Sequence, residues 1–452
     1  MKVFNIVDYG AKTCDQLQTK AIQDAIDACF LAGGGRVLIP CGVFVTGGIR
    51  LRSNIELYLE AGAILKGVRN PKEYFGYRED KLEPVTIDTT TTRPSANPTS
   101  AWSNGLIRML DAENVSVIGE KGSYIDGCNC YDPDGEQKYR GPHGMSIHRC
   151  KNIHLEGYTF INSSNWCHCI CKCENITIRN VSIYGGFDAV NIHCCEHVLV
   201  EDCTFNVGDD CIAGINAHDV VVRNSVLNTA CMPVRIGGTD ILVENCVSDE
   251  RRFGSRRWMT DEEKFLGELT SERDRHESHT AFSFYCDHRW GELKNAPGSN
   301  IVIRNCRFEQ EHELIRVEFD TRHRFCCNRG LHDLRLENCV IRDLIDTGMI
   351  WGKADERLAL CHFKNVTIAC RPGHEDVPML VAGNFDKLIF EDCTIEGYND
   401  PTILVGTDDA QNIEIINSTP ITIKRVTPEE CIAAHPGGIH SGDRDNPNLY
   451  FV

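Results

Sequence analysis

Short runs of alternating apolar and polar residues recur along the chain, bounded by small polar side chains. The unit reads x-[Asn/Asp/His]-hydrophobic-x-hydrophobic-x-[Asn/Asp]-[Cys/Ser/Val]. It appears as KNIHLEGY from Lys151, ENITIRNV from Glu174, EHVLVEDC from Glu196, HDVVVRNS from His218 and TDILVENC from Thr239. It returns as SNIVIRNC, HDLRLENC, DKLIFEDC and QNIEIINS from Ser299, His332, Asp386 and Gln411. Alternation puts every second side chain on one face, so each unit predicts a strand with one buried face. The second residues of the first five units, Asn152, Asn175, His197, Asp219 and Asp240, are spaced 23, 22, 22 and 21 apart. A strand recurring at that period, with no helical pattern between copies, predicts a solenoid. Parallel strands stacked rung on rung make a β-helix, an all-β fold.

The second polar position recurs as Asn180, Asp202, Asn224, Asn245, Asn305, Asn338, Asn365, Asp392 and Asn417. Stacked turns align these into a ladder of side-chain hydrogen bonds. Cys203, Cys246, Cys306, Cys339 and Cys393 follow it and predict a buried thiol column with a packing role. A solenoid needs a cap. Residues 18–32 have apolar positions at helical spacing and end at Gly33-Gly34-Gly35, which predicts an amphipathic capping helix. Residues 1–426 are read as a single β-helix domain and 427–452 as a polar tail or edge cover. Insertions at about 83–101 and 249–278 interrupt the repeat, and solenoid insertions emerge on one face, often the binding face.

The chain has 452 residues, 42% of them apolar, enough for a sizeable core. Net charge is −18, which disfavours nucleic acid and anionic membranes as partners. The 25 cysteines and an N-terminus without a signal-peptide pattern predict thiols in a reducing cytoplasm. Cys167, Cys169, Cys171 and Cys173 alternate on one strand face. A straight strand cannot converge four ligands on one point, so no metal and no cofactor are expected.

The densest candidate chemistry lies between Phe187 and Ile215. GFDAVNI is followed by GDDCIAGI, placing Asp188, Asp209 and Asp210 on neighbouring rungs. Asp188 and Asp210 are 22 residues apart, one rung. Like charges held together raise one another's pKa, so such a cluster suits acid and base roles. Consecutive strand residues point oppositely, so Asp209 and Asp210 share a cleft only if the chain bends at Gly208.

The stretch GGGRVLIPCGVFVTGGIRLRSNIELYLEAGAILKG, the Phe4–Gly10 segment before the helix, and GDDCIAGI together resemble the polygalacturonase-type glycoside hydrolases of family 28. The likeness covers roughly residues 1–425. It implies a right-handed parallel β-helix. It also implies that Asp209 protonates the leaving oxygen while Asp188 and Asp210 activate a water on the opposite face. That is inverting hydrolysis, with carboxyls about 6.5–9.5 Å apart. The chain departs from the family pattern in two places. A His-Gly pair is replaced by Met232-Pro233, with Arg235 where the family has serine. The strand His279–Asp287 lacks the Arg-x-Lys that grips a galacturonate carboxylate. Another sugar is therefore expected, or a different basic set for an acidic one.

Further candidates surround this centre. Arg235 is one rung beyond Asp210, placed to bind substrate or tune an aspartate. His279, Tyr285 and Asp287 share the strand after the large insertion. Arg316, Glu318 and Asp320 alternate on one face, as a cleft wall or as a solvated charge ladder. Trp258, preceded by Arg256 and Arg257, can stack on a sugar ring as a lid, or the segment is an exposed homo-oligomer contact or a plain loop. The leading function is a glycoside hydrolase on a plant-type oligosaccharide, exo-acting if the insertions block one cleft end. A polysaccharide lyase, a sugar transferase and a non-catalytic carbohydrate-binding β-helix are the alternatives.

Overall fold

A computed structural model describes residues 1–74, 104–249, 260–266, 278–284, 296–318 and 329–435. The chain divides into two compact units, Met1–Asp209 with Phe253–Asp274, and Asp210–Arg252 with Arg275–Tyr450. Each is a stretch of right-handed parallel β-helix, the fold expected. No helix among the described residues is long and apolar enough to cross a membrane.

In the first unit each turn supplies three strands, and each strand pairs with its counterpart one turn on. One row runs Ile49–Leu51, Gly105–Leu110, His143–His148, His168–Cys171 and Val190–His193. A second runs from Gly35–Ile39 through Lys151–Glu156 to Glu196–Glu201. A third runs from Gly42–Val45 through Thr159–Ile161 to Thr204–Val207. The second unit repeats the pattern. Its first row includes the start of Ile212–Arg223, the start of Val234–Glu244, Phe282–Phe284, Arg316–Glu318 and Gly348–Trp351.

The repeat motif maps onto the corners. Asn152, Asn175, His197, Asp219 and Asp240 have φ between 51° and 58°, and Asn180, Asp202, Asn224, Asn245, Asn305, Asn338, Asn365, Asp392 and Asn417 between 48° and 56°. This left-handed conformation is costly for most residues, and short polar side chains relieve it by local hydrogen bonding. The amides also form ladders. Asn114, Asn152 and Asn175 donate to Asn54, Asn114 and Asn152 at 3.0, 2.9 and 3.0 Å. Asn305, Asn338 and Asn365 donate to Asn245, Asn305 and Asn338 at 3.3, 3.1 and 2.8 Å.

The thiol column is present. Cys203, Cys246, Cys306, Cys339 and Cys393 are buried, and each Sγ donates to the carbonyl two residues back at 3.2–3.4 Å. Burial pushes the Cys203 thiol up to about 12, which keeps it protonated and inert.

The N-terminal helix spans Thr19–Leu31 and buries Ile22, Ala25, Ile26 and Cys29. Gly33 and Gly34, with φ of 87° and 110°, end it. A second helix, Pro428–Ala434, has a Thr427–Glu430 capping box and buries Cys431 beside Trp351 and Val381. The expected polar tail therefore begins with a docked segment. The 83–101 insertion lies outside the described residues, as does most of 249–278.

Candidate active site

The three aspartates sit on bends. Residues 185–189 join the strand Ser182–Tyr184 to Val190–His193, and residues 208–211 join Thr204–Val207 to Ile212–Arg223. Strand alternation therefore does not govern where Asp188, Asp209 or Asp210 points. All three are buried, with 1%, 0% and 1% of their surface exposed. Dry carboxylates need specific partners, and the structure supplies them.

In the first unit, Asp188 accepts a hydrogen bond from Asn191 Nδ2, three residues on. Asp209 meets Arg140, whose Nη2 lies 3.4 Å from Asp209 Oδ2. Arg140 comes from a tight loop in which Tyr131 and Arg140 bridge antiparallel. At Gly135 a Cβ would stand 1.9 Å from the Arg140 carbonyl oxygen, so only glycine fits there. The guanidinium is fixed on every side. Its Nε donates to Gln137 at 2.9 Å, its Nη1 donates to Asn165 at 3.2 Å, and it lies 3.9 Å from the centroid of the Phe187 ring. Phe187 precedes Asp188, so one arginine spans from Asp209 to the chain beside Asp188.

The strands of the first row present an outward face next to these acids. Ser146, Cys169 and Asn191 are in register across three strands, as are His148, Cys171 and His193. Trp166 covers this face, with its ring 5.4 Å from His143 and 5.5 Å from His193 between centroids. On the inward face, His168 is fully buried. Tyr158 Oη is 2.7 Å from its Nε2, and its Nδ1 is 2.9 Å from the Ala189 carbonyl. Burial lowers its pKa to about 4, so the imidazole is neutral, its Nδ1–H donating to Ala189 and its Nε2 accepting from the tyrosine. A short helix, Asp261–Leu266, comes from the large insertion. Its Lys264 ammonium lies 4.7 Å from the Tyr139 ring centroid, and its Phe265 meets Tyr131 edge-on at 5.6 Å.

In the second unit, Asp210 Oδ2 accepts from Arg235 Nε. The Arg235 side chain keeps 19% exposure and Asp210 keeps 1%. Arg235 is in register with Ser283 on Phe282–Phe284, and Ser283 with Arg316 on the next strand. Two arginines thus flank the position on the strand that lacks the basic pair. Arg316 is 3% exposed and grips Glu313 with both Nε and Nη2. Glu318 is half-buried two residues on. Met232 is fully buried on the bend that corresponds to those of Asp188 and Asp210. His279 is 7% exposed, donates its backbone N–H to Cys231 O at 2.7 Å, and meets the His312 ring edge-on at 5.8 Å. Tyr285, Asp287, Asp320 and Trp258 lie outside the described residues.

Two participants escaped the sequence reading. Arg140 lies in YDPDGEQKYR, whose turn residues mark a loop but do not reveal where an arginine at its end points. Asn191 stands three residues after Asp188, a spacing that signals little until the bend folds the two together.

The family model described as glycosyl hydrolases family 28 matches residues 64–235, which span Arg140, Asp188, Asp209, Asp210 and Arg235. A probable polygalacturonase of Vitis vinifera is 26% identical over 222 residues, 46% of this chain and 43% of the relative. An exo-poly-alpha-D-galacturonosidase of Dickeya chrysanthemi is 49% identical over 254 residues, 47% of this chain and 41% of the relative. The chain thus spans about two fifths of the length of these curated relatives. Among solved structures, a hyperthermoactive exopolygalacturonase from Thermotoga maritima has a TM-score of 0.59 at 18% identity, covering 92% of each chain. A family 28 exopolygalacturonase of Yersinia enterocolitica has 0.59 at 17%, covering 94% of this chain and 78% of that one. At these identities the structural likeness establishes the fold alone.

Proposed function

We propose that this chain, a divergent member of the polygalacturonase-type glycoside hydrolases of family 28, is an exo-acting glycosidase that cleaves oligosaccharides with inversion. One observation carries the reading. Three aspartates are buried, Asp188 and Asp209 in the first unit and Asp210 in the second, and two of them face buried or half-buried arginines of their own unit. Acids held this way cost stability unless they are used or neutralised. Arg235 offsets that cost for Asp210 as a carboxylate, whereas Asp209 is fully buried with one arginine contact at 3.4 Å, and burial favours its protonated form. In the proposed cycle Asp209 gives its proton to the glycosidic oxygen. Asp188 and Asp210 take a proton from the attacking water. The sugar–oxygen bond breaks as the water–carbon bond forms, and the anomeric centre inverts.

For the sugar, an acidic residue at the chain end is the favoured reading. Relatives named for exo action on polygalacturonate support it, as does the row Arg235–Ser283–Arg316. Arg235, partly exposed, is the arginine placed to meet a substrate carboxylate. It takes the role that the absent basic pair leaves open. A cytoplasmic setting, with imported short oligosaccharides as substrates, belongs to the same proposal. The reduced thiols at Cys167, Cys169, Cys171 and Cys246 support it.

The test is NMR detection of the product anomer from a panel of oligogalacturonates and neutral plant oligosaccharides, with wild type and Asp209→Asn. The expected result is inverted monosaccharide release from the acidic set, lost in the variant. A retained anomer or full turnover by Asp209→Asn overturns the mechanism. Release from neutral sugars alone overturns the substrate. A new ultraviolet absorbance from an unsaturated product assigns a lyase instead.

A further inference from the structure

We propose that His148, Cys169 and Cys171 form a binding site for a thiophilic closed-shell cation, Zn2+ or Cu+. The three side chains belong to two neighbouring strands of the first unit, His143–His148 and His168–Cys171. His148 pairs in register with Cys171, and Ser146 with Cys169. Two thiols from one strand and an imidazole from the next therefore share one outward face. An imidazole nitrogen and both sulfurs lie within 4.8 Å of one another. Zinc–sulfur bonds of about 2.3 Å and zinc–nitrogen bonds of about 2.0 Å place the ligands of one ion roughly 3.5–4 Å apart. The trio needs to close by about 1.3 Å at most.

The cysteine pattern alone does not reveal this arrangement, because the third ligand comes from a neighbouring rung. Cys169 and Cys171 also differ from the thiol column. Column cysteines follow a left-handed corner and donate to the carbonyl two residues back. Cys169 lies within the strand His168–Cys171 and Cys171 ends it, neither following a left-handed corner, and both pack with Tyr139, Trp166 and Phe187. A packing role explains two small apolar side chains there; it does not explain an imidazole turned toward them. His148 Nε2 is 3.0 Å from Ser146 Oγ, a contact that fixes the orientation of the ring.

The donor set decides the ion. Two sulfurs and one nitrogen, without a carboxylate, select soft or borderline cations over Mg2+ and Ca2+. Binding releases two thiol protons to solvent, forms two metal–sulfur bonds and one metal–nitrogen bond, and moves no electron. His148 keeps 7% exposure while both sulfurs are at 1% or below, so the ion enters along the imidazole. Cys169 pairs in register with Asn191, the residue that holds Asp188. An ion in the trio therefore stiffens the strand next to that carboxylate.

The experiment uses the reduced full-length chain. Zn2+ is titrated against a chromophoric chelator, Cu+ against a Cu+-specific chelator without oxygen, and Co2+ is added as an optical reporter. One tight equivalent is expected, with a thiolate-to-cobalt charge-transfer band of two-sulfur intensity. Cys169→Ser, Cys171→Ser and His148→Ala each lower the affinity at least tenfold, and Cys173→Ser leaves it unchanged. The two chelator competitions show which ion is preferred. Failure of wild type to bind either ion tightly, or equal loss in Cys173→Ser, overturns the proposal. If the ligand variants do not fold, X-ray absorption of the wild-type zinc form decides. Two sulfurs and one imidazole sustain the site, and any other first shell overturns it.

Discussion

Replacing His168 by phenylalanine tests how the interior behind the candidate site is built. The imidazole is fully buried, accepts from Tyr158 and donates to the Ala189 carbonyl, one residue past Asp188. Burial, its largest influence, lowers the pKa from 6.5 to about 4. Between those values the unfolded chain holds a proton that the folded chain refuses. Stability therefore rises with pH through this window. The contribution is complete above pH 6.5, falls as the pH drops toward 4, and falls no further below that. About 2.5 pH units at 1.36 kcal/mol each amount to about 3 kcal/mol. Phenylalanine cannot take the proton and cannot bond Tyr158. The variant should lose about 1–3 kcal/mol at pH 7.5, since a buried hydroxyl and a carbonyl lose a partner. It should lose less than wild type on acidification. The assay is urea unfolding of both proteins at pH 7.5, 6.5, 5.5 and 4.5, followed by circular dichroism. The wild-type midpoint should fall toward that of the variant as the pH drops. His148, also shifted downward by burial, is common to both proteins and cancels. Parallel midpoint curves would refute a neutral, proton-refusing His168.

Three further outcomes follow from the same contacts. Arg140→Met removes the donor shared by Gln137, Asn165 and fully buried Asp209 and should cost about 3–5 kcal/mol in urea unfolding at pH 7.5, since three buried acceptors lose a partner; Arg140→Lys should recover only part, because a single ammonium cannot meet all three together. Arg235→Ala, at a side chain 19% exposed, should lower kcat/KM on an acidic oligosaccharide about 100-fold or more while far-ultraviolet circular dichroism stays unchanged, since a charge-assisted contact contributes about 3 kcal/mol. Asn152→Ala should cost about 1–2 kcal/mol through its φ of 55° and its lost ladder bonds, and Asn152→Gly clearly less, because glycine accepts that backbone without strain.

The fold was legible because it repeats. Every turn states the same two facts, an apolar alternation that buries one face and a polar residue at each corner. Asn152 and Asn180 are corner residues for a reason visible in their chemistry: a short amide tolerates the left-handed backbone and bonds its stacked copy. The cysteines after those corners were equally readable, since a small apolar side chain suits a tight interior turn. The centre was legible in part. The spacing of 22 residues between Asp188 and Asp210 states their rung relation, and both occupy corresponding bends. The condition set for Asp209 and Asp210, a bend at Gly208, is met, because one strand stops at Val207 and the next begins at Ile212.

The sequence by itself determined the strand period, the corner chemistry and the helix at the N-terminus. All of these depend on residues near one another in the chain or repeated at a fixed step. Tertiary structure decided which arginine meets which acid, Arg140 with Asp209 and Arg235 with Asp210. It also decided that two cysteines of an alternating strand meet a histidine 21 residues before the first of them. The separations, 69 residues for Arg140 and 25 for Arg235, follow no period. A loop can carry its last side chain in many directions, and only packing against Phe187, Asn165 and Gln137 selects one of them.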